Sequence, residues 1–162
     1  MKLFKTLKNQ KGFTLIELLV VIGILAVLLA ITLIAINPAR QFAQANDTKR
    51  RSDVNAILNA VNQYMADEKG EVPAGITAVA QNIADPDIAV ADDGADICSL
   101  LVPQYIAALP TDPTIGDEEA VSETGCAGVY ETGYTIVQSA DNNRITVAAT
   151  PEISGAVISV TR

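Results

Sequence analysis

From Phe13 to Ile36 the chain reads FTLIELLVVIGILAVLLAITLIAI, a run without lysine or arginine and with one acid, Glu17. As a helix rising 1.5 Å per residue it covers about 36 Å, more than the ~30 Å hydrocarbon layer of a bilayer. The run predicts a membrane-spanning helix. Lys2, Lys5, Lys8 and Lys11 precede it with no acid among them, and this asymmetry favours a cytoplasmic start with the remainder outside. The apolar stretch is too long for the core of a secretory signal and lacks a small-residue A-x-A cleavage pattern, so anchoring without removal, or cutting by a different protease, fits better.

Glu17 is the anomaly. An acid near the centre of such a helix costs about 2.5–3.5 kcal/mol on insertion scales, and the segment supplies no cationic side chain to offset it. A cut after Gly12 would place the new α-amine of Phe13 one helical turn from Glu17, with the carboxylate also near the positive end of the helix dipole.

The stretch KGFTLIELL resembles the class III signal of type IV prepilins and of type II secretion pseudopilins: a basic leader ending in glycine, a phenylalanine, an acid at the fifth position after the cut, then an apolar helix. The resemblance implies that a prepilin peptidase cuts between Gly12 and Phe13 and methylates the Phe13 amine. It also implies that Glu17 neutralises a neighbouring subunit's terminus during assembly.

Beyond the apolar run, Asn37-Pro38 reads as an N-cap followed by a first-turn proline, starting a second helical stretch or kinking a continuous one. Val54, Ile57, Leu58, Val61, Tyr64 and Met65 recur at steps of three and four between polar residues, so one face packs on a head. Gly70, followed by Pro73, ends this helix. The basic Lys49-Arg50-Arg51 reads most simply as a solvated face or a lipid-headgroup contact, with an intersubunit salt bridge as the sharper alternative.

The tract from Val72 to Asp96, rich in Gly, Ala, Pro and Asp, reads as a connecting loop. Ile97–Leu109 predicts a short buried helical turn broken by Pro103. LPTDP, Leu109–Pro113, resembles the L-P-x-D-P tract of major pseudopilins and many Gram-positive type IV pilins. Strands are expected near Val129–Glu131, Tyr134–Ser139, Arg144–Ala149 and Ala156–Thr161, with a tight turn at Asp141-Asn142-Asn143. The domain plan is therefore a leader over 1–12, a transmembrane or filament-core helix over 13–36, an amphipathic helix over 37–70 and a head over 71–162. The fold class is α+β and pilin-like, with an antiparallel sheet packed on the amphipathic helix.

After Ser52 only Lys69, Arg144 and Arg162 oppose seventeen Asp and Glu, so the head is acidic and a nucleic-acid partner is not expected. Cys98 and Cys126 form an even count in a segment read as extracytoplasmic. That suggests one disulfide closing a loop of about 28 residues, with two buried thiols as the alternative. Asp112, Asp117, Glu118, Glu119 and Glu123 crowd one region, and hard oxygens in a loop suit Ca²⁺. The loop after L-P-x-D-P binds calcium in major pseudopilins, but the aromatic and glycine-proline continuation that accompanies that site is missing here, so Asp112, Asp117 and Glu118 are weak calcium candidates and no cofactor is expected. With no histidine and no nucleophile motif, pairs such as Asp92 with Asp96 read as surface charge, not as an enzyme site.

The resemblance implies a structural subunit of a type IV pilus-like filament, a homo-oligomer assembled through its first helix with the help of a peptidase, an assembly ATPase and a membrane platform protein. It would wait as a single-pass precursor in the cytoplasmic (inner) membrane with its head outside, then enter an extracellular pilus or a periplasmic pseudopilus. The rivals are a pseudopilin of a type II secretion system and, in another class, a monomeric signal-anchored binding module.

Overall fold

A computed structural model describes residues 12–87 and 94–162. The chain divides into two compact units that meet between Gln41 and Phe42.

The first unit is dominated by α1, Leu15–Ile36, a helix of 22 residues in which no side chain is buried. Its length and composition would let it cross a membrane. It is apolar all round, and such a helix is stable only in lipid or inside a bundle. Asn37 ends it in the left-handed conformation, φ 46°, which asparagine tolerates better than most residues. The Asn37 carbonyl then accepts the Arg40 N–H at 3.1 Å, opening α2, Pro38–Asp67.

From Phe42 onward α2 belongs to the second unit. Val54, Ile57, Leu58 and Val61 are buried, with Tyr64 and Met65 packed at the edge of the same core. The helix ends earlier than Gly70: Lys69 and Gly70 both take positive φ, and the Gly70 N–H reaches back to the Met65 carbonyl at 2.6 Å. Glycine does cap the helix, but a lysine shares the left-handed turn with it.

The core faces a four-stranded antiparallel sheet of β1 (Gln81–Ala84), β2 (Glu131–Gln138), β3 (Ile145–Ala149) and β4 (Ile158–Thr161), in that spatial order. Ile83, Tyr134, Ile136, Ile145, Val147 and Ile158 point inward, as the alternation of a half-buried strand requires. Two expectations are corrected here. The first strand lies inside the tract read as a loop. Instead of two strands at Val129–Glu131 and Tyr134–Ser139 there is one, β2, which begins only at Glu131 and runs to Gln138 through Gly133, at φ +75°, where the β1–β2 register shifts. The turn after β2 does use Asn143, at φ 56°, and the Asn143 N–H donates to the Ser139 carbonyl at 3.0 Å.

The expected short helix is α3, Cys98–Leu101, followed by a cis Val102–Pro103 bond. Cys98 and Cys126 are disulfide-bonded, joining α3 to a 3₁₀ turn at Gly125–Ala127. Of the alternatives at these cysteines, free thiols are therefore ruled out.

Candidate functional site

Gly12 and Phe13 are exposed and outside regular secondary structure, just before the first helix. Thr14 is the N-cap of α1 and forms a reciprocal capping box with Glu17. The Glu17 N–H donates to Thr14 Oγ1 at 3.2 Å, while Glu17 Oε2 accepts both the Thr14 N–H and the Thr14 hydroxyl at 2.8 Å. A carboxylate three residues into a helix thus satisfies a backbone donor that the helix itself leaves open. Among the described residues Glu17 Oε1 takes no hydrogen bond, so within that part of the chain the side chain retains an oxygen for another donor.

The carboxylate sits on the wall of a shallow apolar depression of about 350 Å³ lined by Phe13, Ile16, Val20 and Val21. No lysine or arginine occurs between Gly12 and Ala39. The leader lysines lie outside the described residues, as does Asp92. Chemically, this end of α1 offers one anion, partly tied to its own helix start and surrounded by apolar surface, to a cation from outside the segment Gly12–Ala39.

A second polar centre went unread in the sequence. Arg50, expected on a solvated or headgroup-facing surface, is 1 % exposed. Its Nε and Nη2 donate to Asp112 Oδ2 and Oδ1 at 2.6 and 2.9 Å, and Nη2 also donates to Thr114 Oγ1 at 2.6 Å. Its Nη1 lies 3.0 Å from both Asp47 Oδ1 and Glu152 Oε1. Buried Asp47 in turn accepts the N–H groups of Glu152 and Ile153 at 2.9 and 3.2 Å. One guanidinium therefore ties α2 to the aspartate of LPTDP and the threonine just after it, and to the loop between β3 and β4. The lipid and intersubunit readings fail for Arg50, because its donors are already used inside the head. Lys49 beside it bonds Asp53 at 3.0 Å and the Thr111 carbonyl.

Burial alone would push the Asp112 carboxyl up, but Arg50 and the Thr114 N–H and hydroxyl outweigh it and hold the group below the ordinary range. Asp47 is likewise held low, burial being outweighed by the Glu152 and Ile153 amides and by Arg50. Arg50 itself is shifted further up, chiefly by its hydrogen bonds to Asp112.

This pairing changes the chemistry available to the calcium candidates. Both Asp112 oxygens serve Arg50, and Oδ1 also accepts the N–H groups of Thr114 and Ile115. Asp117 Oδ2 accepts the Glu131 N–H at 2.9 Å, and Glu118 is exposed. Asp112, Asp117 and Glu118 line one depression of about 450 Å³ together with Lys49. Among the described residues no group of three or more acids or other metal-binding side chains converges. Asp96, the other half of the rejected catalytic pair, accepts the Tyr130 hydroxyl at 2.9 Å.

Residues 7–33 match a family model described as a prokaryotic N-terminal methylation motif. Over 61 residues the chain is 41 % identical to the type IV wide pilus major component PilA4 of Thermus thermophilus, an alignment covering 38 % of this chain and 45 % of that protein. The chain thus spans less than half the length of the curated relative it matches. No solved structure matches it.

Proposed function

We propose that the chain, on the likeness of its amino-terminal segment, belongs to the type IV pilin family and is the structural subunit of a type IV pilus-like filament. The observation that carries this reading is Glu17: a carboxylate with one oxygen uncommitted among the described residues, on an exposed apolar helix, in a segment with no cationic side chain of its own. Cleavage between Gly12 and Phe13 creates a cation at the right place, the α-amine of Phe13, and N-methylation keeps it basic. A subunit joining a filament then brings its amine to the Glu17 of a neighbour.

Before assembly α1 holds the precursor in the cytoplasmic membrane with the head outside, and afterwards it lies in the filament core. Moving apolar surface from lipid into a helix bundle gains little hydrophobic free energy, so packing and the ion pair set the register. A prepilin peptidase, an assembly ATPase and a platform protein are the partners such a route requires. The work is assembly, not catalysis. The Thermus relative is a pilus component, which supports a pilus over a secretion pseudopilus, whereas the tract that LPTDP resembles is common to both. Filaments on the cell surface that disappear on deletion of this chain favour the pilus. Their absence together with a secretion defect favours the pseudopilus.

Intact-mass measurement of membrane-purified protein and of sheared filaments tests the reading. A chain beginning at methylated Phe13 in both pools is expected. A protein that retains Met1 and forms no polymer overturns it in favour of a monomeric anchored module.

A further inference from the structure

We infer that Gly23 marks the closest approach between neighbouring α1 helices and that Leu19 of a second copy of this chain seats against it, an inference that rests on the filament reading above. Gly23 lies in the middle of α1, where glycine is the least favourable residue apart from proline. Nothing in the chain itself asks for it: its backbone is helical, and a Cβ added there meets no atom within 4 Å. A residue that weakens its own helix without relieving any crowding inside the subunit needs a reason outside the subunit.

The surface around it supplies one. Leu19, Val20, Ile24, Val27 and Leu28 wall a depression of about 410 Å³ with Gly23 among the lining residues. That depression adjoins the one carrying Glu17 at Val20, which lines both, and across this two-part furrow Glu17 is the one charged lining residue. The occupant is identified by charge and length together. The furrow is apolar along the helix and anionic at one end, which suits a parallel apolar helix that begins with an amine.

Register then follows from simple geometry. A copy whose Phe13 amine reaches Glu17 is displaced by four residues, about 6 Å at 1.5 Å per residue. The same displacement brings its Leu19 level with Gly23. With no hydrophobic gain to be had between helices in an apolar surround, close backbone approach at a small residue is what stabilises their contact.

The test uses the full chain in cells that assemble it. Gly23→Ala lowers the yield of sheared filaments several-fold and Gly23→Leu by about tenfold or more, while the membrane pool beginning at Phe13 stays at the parental level. In a second measurement that leaves Gly23 intact, chains carrying Val20→Cys and Ile24→Cys, one position along at the same four-residue displacement, are expressed together and their filaments oxidised. A cross-linked dimer that needs both variants supports the contact. Parental filament yield from Gly23→Leu, or mixed filaments that give no such dimer, overturns it. Failure of the parent itself to polymerise overturns the filament reading instead and is distinguishable on that ground.

Discussion

Arg50 and Asp112, separated by 62 residues, meet fork to fork through parallel hydrogen bonds of 2.6 and 2.9 Å, and both are 1 % exposed. A pair this deep is expensive to break by halves, because removing one member strands the other's charge out of water. Arg50→Leu strands Asp112 and weakens the hold on Asp47, and a loss of about 3–5 kcal/mol is expected. Arg50→Lys keeps the charge but not the planar fork, so it falls between parent and Arg50→Leu. Urea denaturation of the full chain in detergent, followed by tyrosine fluorescence, measures both. A change below about 1 kcal/mol for Arg50→Leu, the range of an exposed ion pair, would show that the cluster contributes no more than a surface bridge.

Asp47 and Asp112 give the head an acid limit. Both are held below the ordinary aspartate value of 3.8 in the folded chain, so between the two values the unfolded chain binds more protons. Their contribution is complete above about pH 5, declines as pH falls through 3.8, and is lost once the folded carboxylates protonate. Thermal melts of the parent from pH 7 to pH 2 should be flat to about pH 5 and then fall. Melts of Asp112→Asn should fall less steeply, from a lower start. Parallel curves for the two proteins would assign the acid limit to other carboxylates.

What the sequence made legible follows from how local each signal is. The α1 run, the Glu17 spacing, the Val54–Val61 stripe and the Gly70 cap each depend on residues within a few positions of one another. Arg50 was misread because three adjacent basic residues look like a surface. Yet the buried stripe Val54, Ile57, Val61, stepped back by four and then three, lands on Arg50 and Asp47, so the periodicity held the clue. The first strand, Gln81–Ala84, has one β-branched residue and pairs with Glu131–Ile136, about fifty positions away, so no nearby pattern announces it. The gap at Thr132-Gly133 between two expected strands is closed in the fold by the Asp112–Asp117 segment, which hydrogen-bonds to Thr132 and Glu131 from well upstream in the sequence.

Calcium should leave the head indifferent. Asp112 spends its oxygens on Arg50, Thr114 and Ile115, and a metal would have to displace a guanidinium already inside the fold. Melting temperature with millimolar Ca²⁺ and with excess chelator is expected to agree within error. A rise of several degrees with Ca²⁺ that is lost in Asp117→Asn would instead make the depression beside Lys49 a genuine cation site.

Gly133 combines a left-handed backbone with crowding, so its replacement should be costly. Its φ of +75° already disfavours a side chain, and a Cβ there would come within 2.8 Å of Asp112 Cβ and 3.0 Å of the Gly116 nitrogen. Both atoms belong to the segment that is hydrogen-bonded to the second strand, with the Asp112 N–H on the Thr132 carbonyl at 2.8 Å and the Asp117 N–H on the Glu131 carbonyl at 2.9 Å. Gly155 provides the control, having φ +80° but open space where a Cβ would go. Gly155→Ala should cost about 1–2 kcal/mol, the left-handed strain alone. Gly133→Ala adds displacement of the Asp112 loop, and with it the Arg50 fork, so its loss should exceed that of Gly155→Ala by about 2 kcal/mol or more. Combining Gly133→Ala with Arg50→Leu separates the two contributions. If the glycine acts by moving Asp112 off Arg50, the double variant loses clearly less than the sum of the singles. Strict additivity would confine the role of Gly133 to its own backbone.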